Sequence, residues 1–219
     1  MAAPMEHIGA SKSMMYFLVF SVILSIFDVT VVFGNGDERL RPDVDPTSNH
    51  VNIYSFEVSD IDGNFISLDR FRGKVLLMVN VASECGFTDG HYKALVDLQR
   101  TLGKTGSFSV LGFPCNQFGA QEPGTNEQIK KFAQINYKVN FPMFAKINVV
   151  DGITVAPLWK YLAEKSGSAP QWNFWKYLVS SDGEVLQAWG PWNDWNTEII
   201  PVIKAEIEKD HVKHNPDEL

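Results

Sequence analysis

Apolar and polar positions alternate along the middle of the chain with two different periods. In "IYSFEVSDIDGNFISL", starting at Ile53, two short runs of period two flank Asp62-Gly63, which predicts an N-terminal β-hairpin. "KVLLMVNVA" (Lys74 to Ala82) is almost continuously apolar and predicts a strand buried on both faces. "DGHYKALVDLQRTLG" follows, with Tyr92, Leu95, Val96 and Leu98 grouped on one helical face and Gly103 as a stop. "FSVLGF" (Phe108 to Phe113) is a second buried strand. "TNEQIKKFAQINY" opens a helix with Thr125 and Gln128 at capping-box spacing. The pattern then predicts a strand over Met143 to Val149, a helix over Ala156 to Lys165 and a hairpin around Asp182-Gly183. A last helix near Glu198 to Lys209 is expected to begin at about Pro201, where a missing amide hydrogen does no harm. Buried strands alternating with helices imply an α/β domain over residues 51–210, with a mostly parallel central sheet that the hairpins make mixed.

The two ends differ from this domain. The apolar run Met14 to Phe33 is broken by Asp28. Residues 1–34 read as a secretory signal peptide or, uncleaved, as a signal anchor; an unpaired acid near a helix centre, costing about 3 kcal/mol, disfavours the anchor. Residues 35–50 are polar and proline-bearing and read as a linker. Residues 211–219 form a tail ending Pro216-Asp217-Glu218-Leu219, which matches three positions of a K-D-E-L retrieval signal. Together the ends predict the endoplasmic reticulum lumen or secretion, or membrane anchorage there if the first segment is uncut.

Composition narrows the chemistry. The 219 residues carry a net charge of −7 and no basic block, which argues against a nucleic-acid partner. Five scattered histidines and two cysteines offer no metal-ligand spacing, so neither a metal nor a cofactor is expected. Cys85 stands between a buried strand and a helix start, where unpaired amides and the positive end of the helix dipole suit a nucleophilic sulfur. Dithiol oxidoreductases begin a C-x-x-C motif at such a position, but here the fourth residue is Thr88. Position alone leaves three readings open: an attacking sulfur resolved from elsewhere, a buried structural cysteine, and a static bond to Cys115.

"NVASECGFT" (Asn80 to Thr88), "GFPCNQFGAQEPGTNEQI" (Gly112 to Ile129), "FPMFAKINV" (Phe141 to Val149) and "WNFWKYLV" (Trp172 to Val179) together resemble the glutathione peroxidase family, across about Ile53 to Lys209. The secretory features and the cysteine in "FPCNQ" are similar to its cysteine-type endoplasmic-reticulum branch. The resemblance implies a thioredoxin-like fold and thiol-dependent reduction of hydrogen peroxide or organic hydroperoxides. It places Cys85 as the peroxidatic residue, with Gln121, Trp172 and Asn173 completing the catalytic site as uncharged hydrogen donors. Asn116 and Gln117 read as structural. Where some thioredoxin-dependent relatives place a resolving cysteine after the "NEQI" segment, this chain has Gln134, so resolution falls to Cys115 or to an external thiol, glutathione or a protein disulfide isomerase. The modest span from Phe144 to Gln171, in place of the long insertion of tetrameric relatives, predicts a monomer. The rival readings are a non-enzymatic thioredoxin-like binding or chaperone module and a thiol–disulfide exchange protein. Three donors around Cys85 argue against the first, and Thr88 against the second.

Overall fold

The computed structural model describes Arg39–Leu40, residues 51–150 and residues 154–214. The apolar run Met14 to Phe33, most of the expected linker and the tail from Asn215 onward lie outside the described residues. Among the described residues, no helix is long and apolar enough to cross a membrane.

The strand of the "KVLLMVNVA" block, β4 (Val75–Val81), is the centre of a four-stranded sheet, and all seven of its residues are buried. It pairs in parallel with β5 (Phe108–Pro114) on one side, and antiparallel with β6 (Lys176–Val179) on the other. β6 continues to β7 (Val185–Trp189) through the predicted hairpin, giving the order β5-β4-β6-β7. The predicted N-terminal hairpin is β2 (Phe56–Ser59) and β3 (Phe65–Ser67), and the short strand β1 (Arg39–Leu40) joins it from inside the stretch read as linker.

Alternation along β4 sends Leu76 and Met78 to one face of the sheet and Val75, Leu77, Val79 and Val81 to the other. The first face is covered by β2 and by α3 (Pro157–Ser166), which contributes Leu158, Trp159 and Leu162. The second is covered by α1 (Thr88–Leu102), α2 (Asn126–Phe132) and α4 (Ile200–His214), through Tyr92, Leu95, Leu98, Ile129 and Ile203. The mixed sheet flanked by helices is the architecture expected, but it is not mostly parallel: only β4 and β5 pair in parallel, and the other two pairings are antiparallel because β6 and β7 form a hairpin.

Two further expectations are corrected. Met143 to Val149 is not a strand; beside isolated bridges from Met143 to Gly112 and from Phe144 to Asp60 it makes single backbone bonds, from Ala145 N–H to Ser59 O and from Ile147 N–H to Pro114 O (2.9 Å each). Side chains take the amides that a ladder would use: Lys146 N–H donates to Asn126 Oδ1 (2.9 Å), and Val149 and Val150 N–H donate to Gln117 Oε1 (2.6 and 2.9 Å). The last helical segment also starts before Pro201. A π-helical turn, Trp195–Ile199, precedes α4, capped by Asp194, whose carboxylate accepts the amides of Asn196 and Thr197.

Candidate active site

Three loops meet at the edge of the sheet where β4 and β5 end. The first runs from Ala82 to Phe87. Thr88, the first residue of α1, closes it: its Oγ1 donates to Ala82 O (2.7 Å) and accepts Cys85 N–H (3.0 Å). The residue standing where a second thiol is expected is therefore the clasp of the loop that holds the first. Cys85 Sγ accepts Phe87 N–H at 3.5 Å, so the sulfur does meet a backbone amide at the helix start. Cys85 keeps 8 % of its surface exposed.

The second loop carries Gln121. Gly119 (φ 66°) and Ala120 (φ 52°) are consecutive left-handed residues that turn the chain back toward the first loop. Glu84 N–H donates to Gln121 O (3.0 Å), joining the two loops beside the sulfur. Asn116 and Gln117 are structural, as read from the sequence. Asn116 Oδ1 accepts Glu122 N–H (2.8 Å), and Gln117 binds the backbone of Val149 and Val150.

The third loop is the "WNF" turn. Asn173 is fully buried, and its Nδ2 donates both to Phe118 O (3.2 Å) and to Gln121 Oε1 (2.9 Å). Its amide hydrogens are thus used within the protein, where they hold the Gln121 carboxamide by its oxygen. Trp172 is 36 % exposed, with its ring 6.0 Å from that of Phe118. Hydrogen bonds and ring packing link the loops that carry Cys85, Gln121, Trp172 and Asn173, and within them Asn173 bonds to Gln121 directly.

Several supporting residues were not singled out from the sequence. Asn80 interrupts the apolar run of β4; its Oδ1 accepts Trp175 N–H (2.7 Å) and its Nδ2 donates to Trp172 O (3.2 Å), tying the third loop to the central strand. Phe174 is held at φ 62°, a conformation unfavourable for a side chain of this size. Lys176 anchors it: its wholly buried Nζ donates to Phe174 O (2.8 Å) and Gly190 O (3.1 Å) and lies 5.0 Å over the Trp195 ring. His91 stacks on Phe174 at 4.8 Å and contacts Pro191 O (3.0 Å); burial, then Lys176, push its pKa down to about 3. A polar residue inside each buried run, Asn80 and Lys176, was the available signal. Glu122 had none: it is a buried acid in a turn sequence.

Burial pushes Lys176 from 10.5 down to about 7. Between those values the unfolded chain binds more protons than the folded one, so this group's contribution to stability rises with pH across that window. Lys176→Met is expected to remove this slope. Comparing urea unfolding near pH 7.5 and pH 9.5 should show wild type gaining roughly 2 kcal/mol relative to the variant.

Both cysteines are free and sit in different layers of the core, Cys85 with the α1 side and Cys115 with the α3 side. Cys115 has no exposed surface; its Sγ donates to Gln117 Oε1 at 3.7 Å, and burial pushes its thiol up to about 11. The tentative resolving residue is therefore sealed and protonated, away from the layer that holds Cys85.

The glutathione peroxidase family model matches residues 53–163. The chain is 54% identical to human glutathione peroxidase 7 over 157 residues, covering 72% of this chain and 82% of the relative. It is 42% identical to the human protein named probable glutathione peroxidase 8 over 190 residues, covering 86% and 85%. The crystal structure of Trgpx in apo form superposes with a TM-score of 0.60 at 34% identity, covering 73% of this chain and 98% of that one. A thioredoxin-family thiol:disulfide interchange protein from Chlorobium tepidum, at 14% identity and a TM-score of 0.52, shares the fold. With the motifs, the thioredoxin-like fold and these relatives in agreement, the chain belongs to the glutathione peroxidase family and is a thiol-dependent peroxidase.

Proposed function

We propose that Cys85 is the peroxidatic nucleophile, that Gln121 and Trp172 supply donors to the reacting oxygens, and that Asn173 orients Gln121. The observation that carries this is the continuous link from the Cys85 loop through Glu84 and Gln121 to Asn173. Sγ attacks one oxygen of the hydroperoxide, the O–O bond breaks, and Cys85 becomes a sulfenic acid while the leaving oxygen takes a proton and departs as water or alcohol. A first thiol condenses with the sulfenic acid to form a mixed disulfide and water. A second thiol attacks that disulfide, releasing the oxidised reductant and restoring Cys85.

The reductant in this reading is an external thiol, glutathione or a protein disulfide isomerase, because Cys115 is buried in the other layer and held protonated. The reading also places the protein in the endoplasmic reticulum lumen or secretory pathway, as a monomer, supported by the character of the two chain ends and the short span before the "WNF" turn. Steady-state peroxide reduction by Cys115→Ser with glutathione and with a disulfide isomerase as donors tests the resolving step. Turnover within about twofold of wild type is expected. Loss of turnover with accumulation of the Cys85 sulfenic acid would assign resolution to Cys115 instead.

A further inference from the structure

We propose that Glu122 is a positioning residue for the peroxidatic sulfur: its buried carboxylate clamps the loop before Cys85 against the Gln121 turn, so that the reactivity of Cys85 follows the ionisation of Glu122. The inference rests on Cys85 being the nucleophile.

The clamp has two rungs. Ser83 Oγ donates to Glu122 Oε1 at 2.6 Å, and Glu84 N–H donates to Gln121 O at 3.0 Å, so residues 83 and 84 are fastened to 121 and 122 immediately before the sulfur. Glu122 stands on a fixed base. Its N–H donates to Asn116 Oδ1 (2.8 Å), and its carbonyl accepts Lys146 Nζ (3.1 Å), which also binds Gly124 O (2.7 Å). The side chain is wholly buried, and Oε2 has no hydrogen-bond partner among the described residues. An amide in its place would also accept from Ser83, more weakly but without the cost of burying an acid, so the choice of a carboxyl points to a role for its charge.

The groups facing Glu122 leave that charge free to change. Lys146 favours the carboxylate and Glu84 opposes it. Tyr92, from α1, and Cys115, past the end of β5, also sense it, but burial keeps both protonated through the neutral range. Burial pushes the carboxyl itself up to about 7. Ser83 and Glu84 line the same cleft of about 390 Å³ as Glu122, which gives protons a route to it. The ionised acid holds Ser83 by a charge-assisted bond roughly twice as strong as the neutral one, and protonation slackens the loop.

The test is the second-order rate of Cys85 oxidation by hydrogen peroxide, measured for wild type and Glu122→Gln between about pH 5.5 and pH 8.5. Their ratio isolates what the Glu122 carboxyl contributes at each pH. It is expected to rise from near unity to about tenfold, with its midpoint near pH 7. Ser83→Ala, which keeps the acid, is expected to lose rate increasingly over the same range and to add little to Glu122→Gln. A ratio that does not change with pH, or a Ser83→Ala loss independent of pH, would overturn the clamp. Absence of Cys85 oxidation in wild type at every pH would instead overturn the nucleophile assignment.

Discussion

Cys85→Ser is expected to lower the rate of hydroperoxide reduction by about 10⁴-fold or more, leaving a folded protein with no peroxidase turnover. The substitution removes the one cysteine that keeps exposed surface, because Cys115, the other of the two, is fully enclosed. It should spare the fold. The contacts that shape the loop are made by the Cys85 backbone and by Thr88 with Ala82, and a serine preserves all of them. Stopped-flow consumption of hydrogen peroxide under single-turnover conditions, with the urea midpoint as a control for folding, checks both halves of the expectation. A variant that keeps more than a hundredth of the wild-type rate would show that another group carries the reaction.

The second large effect belongs to the carboxamide pair. Gln121→Ala removes a donor and is expected to cost about 10² to 10³ in the rate of the peroxide step. Asn173→Ala is expected to cost a similar amount for a different reason. The Gln121 oxygen loses its 2.9 Å partner and Phe118 O its 3.2 Å partner, so the Gln121 amide is no longer held in one orientation. Because Asn173 acts through Gln121, the double variant should be only slightly slower than either single one. Multiplicative losses in the double variant would mean that each side chain addresses the reacting atoms independently.

How much of this was legible in the sequence depends on the kind of signal each residue leaves. β4 and β5 were readable because a strand buried on both faces must be apolar at every position, and the capping box of Thr125 and Gln128 because two reciprocal bonds require those residue types at that spacing. Met143 to Val149 has strand-like composition, yet the amides of Lys146 and Val149 are taken by Asn126 and Gln117, side chains 20 and 32 residues away in sequence, which no local pattern reveals. The catalytic set became legible only through long motifs that placed Cys85, Gln121, Trp172 and Asn173 together. The motifs name the candidates but not how they are linked: that Asn173 donates to Gln121 and Phe118 O, and that Cys115 faces the other side of the sheet, are consequences of side-chain direction in the folded chain. A lone acid such as Glu122 gains meaning only when burial and an unmet oxygen are visible together.

The most direct test of the account is chemical trapping. Reduced protein is treated with one equivalent of hydrogen peroxide in the presence of a sulfenic-acid-selective reagent, and the modified residue is located by peptide mass spectrometry. The account predicts a single adduct on Cys85, formed at the rate of peroxide consumption, with Cys115 recovered as the free thiol. An adduct on Cys115, or peroxide consumed while Cys85 remains an unmodified thiol, would contradict it.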